Sequence, residues 1–256
     1  MQMTVVRPSA RLAALVDRFT IVEAEREATR VLLPECGLVI GVRYRGAATL
    51  IDGARAARMA DSVVTGVLAG ARTITTHGGS GIVVAQLRPA GAARFFAQPL
   101  HELFGKHVPL DAVIAPADAA RLGDEVSAAR SHADRVAALE RFLIARVRGG
   151  VDLAMVRAAD ALAASHGALR IAALADELGL GQDALEKRFR RAIGASPKQL
   201  AQLLRVRHAI ALGRAGASWS RVALAAGYCD QSHFIREFRA VTGSPPVRFF
   251  RDVAHC

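Results

Sequence analysis

The sequence predicts an α+β protein with a strand-rich N-terminal part and an all-helical C-terminal part. Short runs of Val, Ile and Thr, separated by glycines, recur about every ten residues between positions 31 and 96. From position 151 onward no strand pattern is found, and apolar residues follow helical spacing. We therefore expect three regions: a β-rich domain of the sandwich or barrel type at 1–110, a helical connector at 111–150 and an all-α domain at 151–256.

In the N-terminal part, the strand-like runs lie at 38–44, 48–51, 62–68, 72–76 and 81–87. Their regular spacing favours an antiparallel sandwich or a small barrel over alternating strands and helices. The apolar spacing at 10–19 predicts a helix before the first run, and 92–100 predicts a short helix that ends near Pro99.

The connector follows a different pattern. Apolar residues three and four positions apart, such as Val136, Leu139 and Leu143, alternate with charged residues between 117 and 148. This spacing is typical of amphipathic helices. The pair Gly149-Gly150 then marks a linker to the C-terminal domain.

The composition indicates a folded, positively charged protein. The 256 residues carry a formal net charge of +11, and 52% of them are hydrophobic, which is enough to form a core. Two explanations of the charge stay open: a polyanionic partner, or the arginine- and alanine-rich composition that a GC-rich gene produces. Positive charge is denser in 170–256 than in 1–150, which favours a partner bound by the C-terminal end.

Several other classes of protein are excluded by the sequence. The widely spaced Cys36, Cys229 and Cys256 do not suit a disulfide framework and indicate a reducing cytoplasm. The N-terminus lacks the apolar stretch of a signal peptide, and no window approaches the ~20 apolar residues of a membrane-spanning helix. The sequence contains no metal-ligand spacing, phosphate-binding loop or nucleophile motif. We therefore expect no membrane partner, no metal, no cofactor and no catalytic residues.

The most informative feature is an internal repeat in the helical domain, at 174–197 and again at 222–246. In each copy a short apolar stretch ends at a glycine, Gly179 or Gly227, that favours the end of a helix. A turn of a few residues and a second helix follow, which is the anatomy of a helix-turn-helix. Leu185 and Phe189, and in the second copy Phe234 and Phe238, have the spacing of one buried helix face.

The opposite face of each second helix is polar. Such a face has the dimensions to enter a DNA major groove, which is about 12 Å wide. The alternative is a pair of helical hairpins whose polar faces are only solvated. The matched glycines, aromatic residues and prolines of the two copies favour DNA binding.

A single amphipathic helix is expected to join the two copies, beginning after Pro197 and ending at Gly213. As a stiff spacer it would suit duplex DNA, whose major groove returns to the same face about every 34–36 Å. We expect Arg205 on this helix to form a structural ion pair, and Ser218 to cap the next helix, which begins at Trp219.

These residues resemble a known family. The segments GYCDQSHFIREF (227–238), TGSPP (242–246) and FRRAIGASP (189–197) are similar to the AraC-type transcription regulators. The resemblance covers about residues 153–250. Three positions depart from the family pattern: Gly181 replaces a capping serine, and Cys229 and Pro245 each replace a serine.

The N-terminal part also resembles a domain found in a subset of these regulators. The segments LPECGL (33–38) and LRPAGAARFF (87–96) are similar to an N-terminal domain of unknown function. Cys36 stands where that domain more often has an acidic residue. The resemblance implies a regulatory domain but does not identify a ligand.

The resemblance and the helix faces together imply a sequence-specific transcription regulator that binds double-stranded DNA. Arg236 is expected to bind guanine, Lys187 can also address guanine, and Glu186 can accept a hydrogen bond from cytosine. Asp183 suits either a capping role or a base contact. Phosphate contacts or solvated charge suit Arg188, Arg190, Arg191, Lys198 and Arg239. The expected DNA-binding residues are Asp183, Glu186, Lys187, Arg190, Gln231, Ser232, His233, Arg236 and Arg239.

For the N-terminal domain two hypotheses stay open. It binds a small-molecule effector that changes DNA affinity by linkage, or it carries a reactive sensing thiol at Cys36. The expected pocket residues of the first hypothesis are Arg43, Tyr44, Arg88, Phe95 and Phe96, although an ordinary core explains them equally well. The sequence also leaves open a homodimer through the helices at 117–148 and a contact with RNA polymerase.

Overall fold

The computed structural model describes residues 1–251 and confirms the α+β class. Cys256 lies outside the described residues. The N-terminal part contains ten strands: β1 (Gln2–Val6), β2 (Val16–Ala24), β3 (Ala28–Leu32), β4 (Val39–Arg45), β5 (Ala48–Asp52), β6 (Arg55–Arg58), β7 (Ser62–Thr65), β8 (Arg72–Thr76), β9 (Ser80–Leu87) and β10 (His107–Pro109).

These strands form two antiparallel sheets that face each other as a sandwich. The six-stranded sheet has the order β1-β2-β9-β4-β7-β10, and the four-stranded sheet has the order β3-β8-β5-β6. Successive side chains on each strand of the larger sheet point to opposite faces of that sheet. On strand β4, Ile40 and Val42 belong to the core, whereas Val39, Gly41 and Arg43 line a cavity between the sheets.

The five strand-like runs of the sequence correspond to strands β4, β5, β7, β8 and β9. The helix expected at 10–19 is wrong, because residues 10–15 form turns and strand β2 begins at Val16. Phe19 and Ile21 contribute to the core while β2 pairs with both β1 and β9. Pairing on two sides therefore outweighs the helical spacing of this segment. The expected helix at 92–100 is reduced to a helical turn at Ala92–Arg94, and a second turn follows at Leu100–Leu103.

The amphipathic helices predicted between 117 and 148 are confirmed as α1 (Pro116–Ala128) and α2 (His132–Ile144). Helix α1 packs against strand β4, on the face of the large sheet away from the cavity. Ser131 caps α2 by accepting a hydrogen bond from the backbone N–H of Asp134, at 3.1 Å.

The C-terminal part is helical throughout the described residues 151–251. Its helices are α3 (Leu153–Ala164), α4 (Ile171–Glu177), α5 (Gln182–Ile193), α6 (Pro197–Arg214), α7 (Trp219–Ala225), α8 (Gln231–Thr242) and α9 (Pro246–Arg251). Within residues 1–251, every helix is too short or too polar to cross a membrane.

Two hydrophobic cores hold the chain together. The larger core runs from the sandwich through the connector helices into α6, α7, α8 and α9. The smaller core joins α3, α4, α5 and the beginning of α6. Helix α6 thus contributes to both cores, which makes it the element that fixes the two helix-turn-helix units relative to each other.

Candidate nucleic-acid interface

The two repeats fold as two helix-turn-helix units with the same local construction. Helices α4 and α7 are followed by Gly179 and Gly227, whose φ angles are +63° and +80°. A residue with a Cβ adopts this left-handed conformation only with strain, so glycine ends each first helix at the position that the turn needs. Helices α5 and α8 follow these turns.

The buried faces of α5 and α8 match the predicted spacing. Leu185 and Phe189 are fully buried on α5, and Phe234 and Phe238 are fully buried on α8. Phe234 and Phe238 contact each other edge to face, with ring centroids 5.4 Å apart. These apolar contacts orient each helix so that its polar side faces away from the core.

Eight of the nine sequence-predicted DNA-binding residues are solvent-exposed, and His233 is half-buried. Within residues 1–251, six side chains of this set form no hydrogen bond or ion pair, and they are Asp183, Lys187, Gln231, Ser232, Arg236 and Arg239. The arrangement leaves three cations, Lys187, Arg236 and Arg239, available to an external partner.

The other three predicted residues have intramolecular partners. Arg190 binds Glu186 one helical turn earlier, with Nη2 and Oε1 2.9 Å apart. The Nδ1 atom of His233 lies 3.3 Å from the Sγ atom of Cys229, and its Nε2 atom lies 3.5 Å from an oxygen of Glu237. These side chains can bind a ligand only if they give up their intramolecular partners or share them with the ligand.

Arg188 is also engaged. Its Nε and Nη2 atoms donate to both carboxylate oxygens of Asp152, at 2.9 and 2.8 Å. The Arg188 hydrogen bonds hold the pKa of this aspartate below its ordinary value. Because Asp152 also caps α3, the pair attaches α5 to the beginning of α3.

The helix cap at Asp230 was missed by the sequence analysis. Its carboxylate accepts a hydrogen bond from the backbone N–H of His233, at 2.7 Å, and begins α8. That hydrogen bond is the main cause that lowers the pKa of Asp230. An aspartate directly before a helix is a strong capping signal, so its position in the sequence could have revealed it. Helix α5, by contrast, begins after Gly181 with no side-chain cap.

The joining helix α6 is built as expected. Ser196 caps it by a capping box with Gln199, and Pro197 occupies its first turn. The predicted structural ion pair of Arg205 is confirmed, because Arg205 binds both carboxylate oxygens of Glu237 on α8 at 2.9 and 3.0 Å. Ser218 occupies the N-cap position of α7 but forms no side-chain hydrogen bond there.

The N-terminal part contacts both helix-turn-helix units. The backbone N–H of Ala71, between β7 and β8, donates to the carbonyl of Val241 near the end of α8, at 2.8 Å. The helical turn Leu100–Leu103 packs against α5. An added Cβ at Gly194, which ends α5, would lie 3.2 Å from the carbonyl oxygen of Leu100.

A second candidate site is the cavity between the two sheets, with a volume of about 490 Å³. Most of its lining is apolar, and helix α6 closes part of it with Arg207, Ile210, Ala211 and Arg214. Of the pocket residues expected from the sequence, Arg43 lines it; Tyr44, Arg88, Phe95 and Phe96 lie elsewhere. Tyr44 instead donates to Glu23 at 2.7 Å, and Arg88 to the carbonyl of Ala13 at 2.8 Å.

Glu35 connects the cavity wall to helix α6. Its two carboxylate oxygens accept hydrogen bonds from Arg18 on β2, at 2.8 Å, and from Arg207 on α6, at 2.6 Å. All three side chains are partly exposed. The contact therefore joins the sandwich to the helix between the two helix-turn-helix units.

The environment of Cys36 gives the reactive-thiol hypothesis no support. Burial is the main cause that raises the pKa of its thiol to about 11. Because the thiolate is the nucleophilic form, little of this thiol is reactive near neutral pH. Within residues 1–251, acidic, histidine and cysteine side chains form no group that could hold a metal ion.

Comparisons with known proteins identify both halves of the chain. Residues 174–252 match the family described as a helix-turn-helix domain. Residues 4–109 match the family described as a domain of unknown function, DUF6597. A search of curated protein sequences finds no match.

Solved structures with a similar arrangement include regulators from several bacteria. Apo ToxT from Vibrio cholerae is 15% identical, has a TM-score of 0.49, and the alignment covers 91% of this chain and 96% of that chain. ToxT from the same species bound to an unsaturated fatty acid is 14% identical, with a TM-score of 0.47 and coverage of 90% and 93%. A probable AraC family regulator from Rhodopseudomonas palustris is 26% identical, with a TM-score of 0.35 and coverage of 41% and 100%.

The two family matches coincide with the two structural halves, and the helix-turn-helix match coincides with the repeated units on α6. The chain therefore combines an AraC-type helix-turn-helix domain at residues 174–252 with a DUF6597 domain at residues 4–109.

Proposed function

We propose that this regulator reads duplex DNA through the exposed faces of α5 and α8, under the control of a small molecule bound in the N-terminal cavity. The main support for this DNA-binding surface is that α5 and α8 both expose a polar face and both pack against the same helix, α6. In this proposal 1–110 is the sensor domain, 111–150 the connector and 151–256 the DNA-binding domain. A second copy of the chain and RNA polymerase stay predicted partners.

Individual roles follow from side-chain chemistry. Arg236 has the donor geometry to bind guanine O6 and N7 together, and Lys187 presents a single charge to the same acceptors. Arg239 and Arg190 suit phosphate oxygens, which fix register without reading sequence. The remaining residues assigned to the interface are Asp183, Glu186, Gln231, Ser232 and His233.

Arg236→Ala is expected to weaken specific binding by about 1–3 kcal/mol and to relax preference at one base pair, because a bidentate contact to one base is removed. The measurement is the Kd for a duplex selected from a random pool, followed by its single-base-pair variants. Arg130→Ala is the matched control, since Arg130 is exposed on the loop between α1 and α2. Unchanged base preference in the Arg236 variant would exclude the assigned role.

Effector control is supported by the position of the cavity. It lies inside the sandwich, yet four residues of α6 line it, so an occupant touches the helix that carries both DNA-binding units. A ligand shifts an equilibrium only through different contacts in the two states. The Arg18–Glu35–Arg207 contact can provide such a difference, because an occupant that packs against Arg207 changes its contact with Glu35.

Val84→Phe is expected to abolish the response to an effector while leaving DNA binding intact. Val84 is half-buried in the middle of β9 and lines the cavity, so the larger ring occupies the space that a ligand would use. The measurement is a thermal-shift screen of small metabolites on both proteins, with hits then tested for their effect on the Kd for DNA.

The matched control is Val247→Phe, since Val247 is 64% exposed on α9. A compound that stabilises wild-type and Val84→Phe proteins equally, and still changes DNA affinity, would place the effector site outside the cavity.

A further inference from the structure

The cavity contains one buried cation with unused hydrogen-bond donors. Arg43 lies on β4, is 7% exposed and lines the cavity. Its Nε and Nη1 atoms are buried without a hydrogen-bond partner, and its side chain forms no ion pair with another residue in 1–251. Its backbone N–H donates to the carbonyl of Asp61, at 2.7 Å. A guanidinium carries five N–H donors in a fixed plane, and the three on Nε and Nη1 of Arg43 have no partner within residues 1–251.

Burial and three charged side chains act on the guanidinium of Arg43. Burial is the main cause that lowers the pKa of this guanidinium; the nearby charge of Asp61 raises it, and those of Arg30 and Arg58 lower it. Arginine nevertheless keeps its proton in proteins. A buried charge without a hydrogen-bonded counterion is unfavourable. Arg43 lines a ligand-sized cavity, so an anion bound there would offset the unfavourable free energy of burying its charge.

Strand register places Arg43 at the end of the cavity away from α6. Val39 is paired with Gln86 on one side and Thr65 on the other, in the row nearest the helix. Arg43 lies four residues further along the same strand, which corresponds to about 13 Å. The residues between the two ends are mainly aliphatic, and they include Val22, Leu32, Val63, Ile74, Ile82 and Val84.

We propose that Arg43 is an anion-binding residue at the end of the cavity away from α6, and that the effector is an anion with an apolar body extending toward α6. The inference rests on the proposed effector control and specifies the chemical class and orientation of the ligand. The anionic group binds the guanidinium of Arg43, and the apolar body fills the apolar part of the cavity.

Straight-chain decanoate is a suitable probe, because an extended ten-carbon chain is about as long as the distance between the two rows of the sheet. 1-Decanol is the uncharged control. Titration calorimetry on the full chain is expected to show decanoate binding that Arg43→Met weakens about tenfold or more, as loss of charge-assisted hydrogen bonds requires. Binding of 1-decanol is expected to be the same in both proteins.

Arg214→Met separates the two ends of the cavity, since Arg214 lines it from α6. This variant is expected to bind decanoate with nearly wild-type affinity. Equal affinity of wild-type and Arg43→Met proteins, or a loss confined to Arg214→Met, would overturn the proposal. Absence of decanoate binding to the wild type would also overturn it, whereas effector control itself is tested independently by the Val84→Phe screen.

A stability measurement distinguishes a ligand-binding role from a structural one. Without added ligand, Arg43→Met is expected to have a Tm equal to or above that of the wild type, because methionine buries no uncompensated charge. A Tm lower by several degrees would assign Arg43 to the support of the fold and contradict the proposal.

Discussion

Replacing Arg205 by alanine is expected to reduce the free energy of unfolding by about 3 kcal/mol, the lower end of the cost of removing one partner of a buried ion pair, because this pair is only partly buried. Arg205 and Glu237 are each 16% exposed. Arg205 on α6 also donates from Nη1 to the carbonyl of Gly167, at 2.8 Å. One guanidinium therefore ties the joining helix to α8 and to the turn after α3, and alanine leaves Glu237 charged without its counterion.

Denaturant unfolding of the full chain measures this effect. The control is the double variant Arg205→Met with Glu237→Met, which removes both charges and is expected to recover most of the lost stability. If Arg205→Ala costs less than about 1 kcal/mol, the pair behaves as a surface ion pair and does not fix α8 on α6.

Phe238→Ala is expected to destabilise the protein by about 3–5 kcal/mol, because it removes a large buried side chain and leaves a cavity. Phe238 is fully buried, and its ring contacts Phe234 and Phe249, with centroids 5.4 and 5.2 Å apart. This cluster belongs to the larger core, which is shared with the sandwich. Loss of packing here is expected to loosen α8 and to weaken DNA binding as well.

The first repeat supplies a matched comparison, since Phe189 has the equivalent position on α5 and belongs to the smaller core. Phe189→Ala is expected to cost a similar free energy. Phe238→Leu keeps most of the volume and is expected to lose much less. Equal destabilisation by the leucine and alanine variants would contradict a packing explanation.

The helical half was predictable because its information is local and occurs twice. Three of its features can be seen directly in the sequence. They are the glycine that ends a helix, the pair of buried residues at i and i+4, and the proline that begins the next helix. The paired spacing of Leu185 with Phe189, and of Phe234 with Phe238, identified the buried faces and hence the exposed ones. Arg205 was also recognised, since a charged residue in the middle of an apolar helix needs a partner.

The sandwich was harder to predict, because strand pairing depends on residues far apart in the chain. Positions 10–19 have helical spacing, yet strand β2 begins at Val16 and pairs with β9 more than sixty residues later. The cavity could not be located from the sequence for the same reason. Arg43 and Tyr44 are neighbours in the chain and look equivalent there, but the pleat of β4 sends Arg43 into the cavity and Tyr44 to Glu23.

The contacts from Ala71 to Val241 and from the Leu100 turn to α5 have a consequence for the divergence of such regulators. The N-terminal and C-terminal halves share a hydrophobic core and a backbone hydrogen bond, so a substitution at their interface in one half affects its partner residues in the other. A chimaera that exchanged one half with that of a relative would also need the matching contact residues in the half that it keeps. Such chains are therefore expected to diverge more easily by substitution within each half than by exchange of whole domains.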